Sequence, residues 1–150
     1  MAHLGIFVVA LGIAASSTFR SESEATLKPG ESMPVGRHSA RLKEVWGRKE
    51  PQREVIGATM ELLDGTETRA VLNPRMNFYP TSQQPIPTPD VRSTPLGDTY
   101  MSLMSFSQNG TTATIKVINE PLVPWIWAGG GMIVLGALIA GWPTRARAAA

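Results

Sequence analysis

Cysteine is absent from the 150 residues. That excludes disulfides, zinc–thiolate sites and c-type haem attachment to this chain, and it suits a domain kept in an oxidising compartment. Also missing is any surplus of charge in the body of the chain. All 12 acidic residues lie between Glu22 and Glu120, and 12 of the 14 basic residues lie between Arg20 and Lys116. The net charge of +2 therefore comes from Arg145 and Arg147 alone. A pI of 9.3 is then no argument for a nucleic-acid partner, because there is no basic stripe and no interleaving of basic with aromatic residues. Catalytic signatures are missing too: no HExxH, no GxSxG, no glycine-rich phosphate loop after a strand. Acid pairs such as Glu22/Glu24 and Glu61/Asp64 read as solvated surface, and no internal repeat is visible.

What is present is unevenly placed. The apolar residues, 43% of the total, are concentrated at the two ends. From Pro124 to Trp142 runs a stretch of 19 residues without charge. As a helix it would be about 28 Å long, close to the thickness of a bilayer core. Trp125 and Trp127 stand at one end and Trp142 at the other, as in an aromatic belt, and Arg145 and Arg147 follow at once. By the positive-inside rule these arginines place the C-terminus in the cytoplasm. Pro124 suits a helix start and Pro143 a helix stop. Glycines 129, 130, 131, 136 and 141 are costly in a soluble helix but allow another helix to approach closely in lipid. The expected span covers residues 121–143, with a cytoplasmic tail at 144–150.

The first run, residues 1–19, is also uncharged. It has two readings. As a signal peptide it has small residues in "GIAASS", but its start, "MAH", has no Lys or Arg. As a spanning helix it would bracket, with the second run, an exported segment at residues 20–120. That segment reads as antiparallel β. "ATMELLDGTETRAVLNP" is a pair of strands around Asp64-Gly65, and "YMSLMSFSQNGTTATIKVI" a pair around Asn109-Gly110. "HSARLKEVW" is a fifth strand. The stretch 80–97 carries prolines at 80, 85, 87, 89 and 95; it cannot be a central strand and is expected to be an extended surface loop. The fold expected is thus a membrane protein, two transmembrane helices flanking a small antiparallel all-β extracytoplasmic domain.

Two histidines and two methionines could serve as ligands. Met101 and Met104 are three apart in a strand and so on opposite faces, which suits core or edge positions better than a shared site. His38 follows Gly36-Arg37 at a turn or strand start and reads as a surface residue. His3 is different. Ionisable residues within a span are rare, face protein, and often have a function. A helical wheel places His3, Phe7, Ala10 and Ala14 on one face. The small residues beyond the imidazole leave space beside it, and a neutral imidazole there is a good axial ligand for haem iron. The alternative is an interfacial histidine.

The order of parts resembles one known family. Ala2-His3-Leu4-Gly5, Pro29-Gly30-Glu31, Pro74 to Tyr79, Asp98-Thr99-Tyr100 to Leu103, and Pro121 to Trp127 are similar to motifs in the C-terminal portion of the CcmF/NrfE family, the haem lyase subunits of bacterial cytochrome c biogenesis. The resemblance covers nearly the whole chain. It implies a multi-pass inner-membrane protein that joins haem to apocytochrome c on the periplasmic side. It further implies that His3 matches a histidine ligating a b-type haem, which a span entering from the cytoplasm would hold nearer the cytoplasmic face. The family's tryptophan-rich haem-handling segment and its other three haem-binding histidines lie upstream of the matching region, so the haem would be shared with upstream CcmF helices. Expected partners are those helices, haem-delivery and apocytochrome c maturation proteins, apocytochrome c, and membrane lipid. Where the family has an aromatic-basic approach to its last helix, this chain has Asn119-Glu120-Pro121. The alternative function is a membrane-anchored β-domain scaffold without haem.

Overall fold

A computed structural model describes residues 2–142. Pro143, the expected tail at 144–150 and its arginines lie outside the described residues.

The chain opens with helix α1 (Ala2–Thr18) and closes with helix α2 (Val123–Gly141); ten strands lie between. They are β1 (Ser21–Leu27), β2 (Ser32–Val35), β3 (His38–Glu50), β4 (Arg53–Asp64), β5 (Glu67–Leu72), β6 (Arg75–Phe78), β7 (Ile86–Thr88), β8 (Asp90–Thr94), β9 (Gly97–Phe106) and β10 (Ala113–Pro121). One sheet has the order β1-β10-β9-β8. The other has the order β2-β3-β4-β6-β7, with β5 also paired to β4. All pairings are antiparallel.

Alternation of side chains decides which faces meet. On β10, Ala113, Ile115 and Val117 are buried while Thr114, Lys116 and Ile118 are not. On β9, Met101 and Leu103 point inward and Met104 lies on the exposed side, as their spacing requires. From the other sheet come Leu42, Met60 and Leu62, all essentially inaccessible to solvent. The core is the layer between the two sheets, which gives a β-sandwich.

Both expected hairpins form. Asp64 pairs with Glu67, so the β4–β5 loop is Gly65-Thr66, with Gly65 at φ +63°. The β9–β10 loop is longer, residues 107–112, with Gly110 at φ +68° and its amide donating to Ser107 O at 2.9 Å. The expected strand at "HSARLKEVW" is β3. It is longer than expected, and it pairs with β4 out to a hairpin tip at Glu50–Arg53.

The proline-rich segment departs from expectation. Residues 80–97 are not a loop throughout: β7 closes one edge of the larger sheet and β8 one edge of the smaller. Pro89 lies between them, where the chain crosses from sheet to sheet. Proline cannot donate to a ladder, but an edge strand has one side free of that demand. Pro87 accordingly sits in β7, paired to β6 alone.

β1 and β10 pair in register from Ser21↔Asn119 to Leu27↔Ala113. The helices leave this pair side by side and run antiparallel. α1 has 17 residues and α2 has 19. At 1.5 Å per residue these are about 26 and 28 Å. Among the described residues only α2 is long and apolar enough to cross a membrane; α1 is shorter than the 1–19 span expected.

Candidate functional site

The helix pair is set by glycines. A methyl group on Gly5 would stand 2.7 Å from Gly129 O, and one on Gly129 would stand 2.8 Å from Gly5 O. Gly12 faces Ile126 in the same way. The backbones approach this closely at Gly5 and Gly129 because neither residue carries a side chain, the small-residue packing expected of helices in lipid. From His3 to Thr18, Gly5, Gly12 and Ala15 are the buried positions of α1.

His3 is on the other side. At 100° per residue it lies about 160° from Gly5 around the helix. Phe7, Ala10 and Ala14 share its face, and all four are exposed. Phe7 is 73% exposed. The face that the wheel singled out is thus the one α2 leaves uncovered. Ala10 and Ala14 give no obstruction along it. The imidazole is exposed on this face with the Phe7 ring one turn away and the small Ala10 and Ala14 beyond.

The helix register sets the level of His3 along α2. Gly5 is opposite Gly129 and Ile133. His3 is then level with the middle of α2, which continues about 12 Å further, to Gly141.

His38 is not brought near His3; it starts β3, in the β domain, while His3 is at the opposite end of α1. Nor is it the plain surface residue expected. Its side chain is 22% exposed and its Nδ1 is buried without a hydrogen-bond partner, 3.9 Å from Asp64 Oδ1. Arg37 Nε donates to its Nε2 at 3.4 Å. His38 lines a cleft of about 470 Å³ with Arg37, Asp64, Arg69 and Arg92, roofed by Leu96. These residues come from the β2–β3 and β8–β9 turns and from strands β3, β4, β5 and β8, so no sequence spacing announces them.

The cleft lies where the sandwich meets the helices. Trp125 Nε1 donates to Pro95 O at 2.9 Å, and the Leu122 amide donates to Leu96 O at 3.0 Å. Leu122 holds a left-handed backbone, φ +59°, as the chain turns into α2. Beside it, the Tyr100 hydroxyl donates to Asp98 Oδ2 at 3.5 Å. Burial, and then the Asp98 and Glu120 charges, push the Tyr100 pKa above the usual tyrosine value, so it stays a neutral donor. No group of three or more His, Asp or Glu that could hold a metal ion occurs among the described residues.

Comparison with known proteins gives one consistent answer. The family described as "CcmF C-terminal beta-sandwich" matches residues 18–121. A probable cytochrome c-type biogenesis protein NrfE of Escherichia coli is 26% identical over 147 residues, covering 98% of this chain and 26% of that protein. A cytochrome c-type biogenesis protein CcmF of Pseudomonas fluorescens is 29% identical over 98% of this chain and 22% of its own length. Among solved structures, a cytochrome c haem lyase CcmF superposes with a TM-score of 0.72 and 29% identity, over 95% of this chain and 24% of that one. The chain thus spans about a quarter of the length of the relatives it matches.

Proposed function

Since the chain belongs to the CcmF C-terminal β-sandwich family, we propose that it is the C-terminal part of a cytochrome c haem lyase subunit, with His3 an axial ligand to a b-type haem shared with helices outside this chain. In this reading α1 and α2 both span the bacterial inner membrane. Both ends are cytoplasmic, and the sandwich stands on the periplasmic side, where apocytochrome c and haem-delivery proteins meet it. One observation carries the assignment: His3 heads an uncovered face of α1, with small residues at Ala10 and Ala14, opposite the glycine seam that binds α2. Such a haem would supply one-electron chemistry to the complex. This chain's part is to fix the ligand. The Gly5–Gly129 contact sets the rotation of α1, and with it the direction in which the imidazole leaves the helix. Whichever ring nitrogen met the iron, the other would need a hydrogen-bond acceptor for its N–H, and any further protein ligand would have to come from elsewhere. His38, in the β domain beyond the far end of α1, can be neither.

The test is His3→Ala in the chain expressed with the upstream helices. The b-type Soret band should be lost and cytochrome c maturation should fall, while His38→Ala keeps the band. If His3→Ala keeps full haem and full maturation, His3 is an interfacial residue, and a membrane-anchored β scaffold without haem becomes the better reading.

A further inference from the structure

The cleft beneath the β2–β3 and β8–β9 turns has no part in the haem reading. It holds two guanidinium groups, Arg37 and Arg92, with no carboxylate within 4.0 Å among the described residues. The third, Arg69, is occupied by Asp64 and Glu67, each at 3.3 Å. Asp64, the carboxylate lining this cleft, faces Arg69, which it shares with Glu67, rather than Arg37 or Arg92. A neighbouring lobe shares Arg37, His38 and Leu96 and reaches Phe19 and Pro121, where α1 leaves and α2 enters the sandwich. Of its acidic groups, Glu120 faces Arg20 at 3.6 Å, and Asp98 accepts the Tyr100 hydroxyl through Oδ2 while its Oδ1 is buried without a partner.

Cation and grease are thus arranged in a definite order. The unpaired guanidiniums sit on the sandwich side. Next come Leu96, 65% exposed, and Phe19, 70% exposed, and then the apolar helices. Trp125, anchored to Pro95, marks the same level on α2, where an amphipathic indole belongs at a membrane interface. An anionic group bound by Arg37 and Arg92 would have its apolar remainder directed along Leu96 and Phe19 towards the bilayer. Guanidinium forks suit phosphate oxygens, with two parallel N–H donors each.

We propose that this cleft binds the headgroup phosphate of an anionic glycerophospholipid in the leaflet facing the sandwich, and that the bound lipid seats the sandwich on the membrane surface. The inference rests on α2 lying in a membrane and not on haem at His3. The full chain in detergent, titrated with dioleoylphosphatidylglycerol and followed by native mass spectrometry, should take up one lipid saturably, in preference to phosphatidylcholine with the same chains. Arg37→Gln with Arg92→Gln should weaken uptake about tenfold or more, given the strength of basic residues near anionic lipid. Arg37→Lys with Arg92→Lys should keep most of it. Arg48→Gln with Lys49→Gln, at the distant β3–β4 tip, should change nothing. Flotation of the Gln pair with lipid vesicles separates the outcomes: the variant should still float through its helices, and loss of flotation would overturn the membrane reading instead. The proposal fails if the Gln pair takes up the lipid like the parent, or if the tip variant loses as much. It also fails if inorganic phosphate displaces the lipid at equal concentration, which would make the cleft a small-anion site. Should the Gln pair not fold, Leu96→Glu on the exposed turn must weaken uptake comparably, or the proposal falls.

Discussion

Replacing Gly129 by Ala tests how tightly the helix seam is built. The added methyl would stand 2.7 Å from Val9 Cγ2 and 2.8 Å from both Gly5 O and Val9 N. Ordinary contact starts near 3.4 Å, so the seam must open by roughly 0.6 Å, and two of the three opposing atoms are backbone. Over-packing of this kind costs about 1–3 kcal/mol. Gly130 and Gly131, the next residues on α2, have nothing within 4 Å of a new methyl. There Ala should stabilise the helix by about 0.5–1 kcal/mol. Three adjacent, chemically identical substitutions should therefore divide in sign. Unfolding of the full chain in mixed detergent micelles, followed by circular dichroism, reads the sign directly. Gly5→Ala with Gly129→Ala should cost less than the two single changes together, because one separation relieves both clashes. If Gly129→Ala stabilises the chain as Gly130→Ala does, the seam is not where the geometry puts it.

Other outcomes follow from the sandwich. Gly110→Ala meets no neighbour within 4 Å, so its whole effect, about 1 kcal/mol of destabilisation in chemical denaturation, comes from the positive φ. Leu103→Ala, in the fully buried layer, should cost about 2–5 kcal/mol in the same assay. The hydrogen bond from Arg41 holds the Glu61 carboxyl below its ordinary pKa, with further help from the Arg41 and Lys43 charges, and Lys116 does the same for Glu22. Each lowered pKa contributes stability that is present above the unfolded carboxylate value and is lost as pH falls through the folded one. Unfolding midpoints should therefore drop as pH falls below about 4.5, and Arg41→Met should flatten that limb; an unchanged pH profile would count against the pairing.

The features visible in the sequence were those with a local cause. Alternation at Ala113–Ile118 and the glycines at 65 and 110 announced strands and turns, because period and positive φ are properties of a few adjacent residues. The face of His3 was legible for the same reason. β1 was not: "SESEATL" is mostly polar, and it is a strand because β10 offers it a partner 98 residues away, at Asn119 for Ser21. The stretch 80–97 was misread because proline excludes a central strand without excluding an edge. His38 was misplaced because its burial depends on Asp64 and Leu96, which fold over it from other turns. The level of His3 along α2 needed the register between the two helices, a relation no single helix pattern contains.

That 98-residue separation has a consequence for how the molecule assembles. Bringing two points so far apart along a chain together costs about 4 kcal/mol of loop entropy. Pairing of β1 with β10 and contact of α1 with α2 need the same closure, so whichever forms first raises the effective concentration of the other pair. The sheet and the helix seam are in this sense one cooperative unit. A lesion at Gly5 or Gly129 should therefore appear as faster amide exchange along β1, a strand that neither glycine touches.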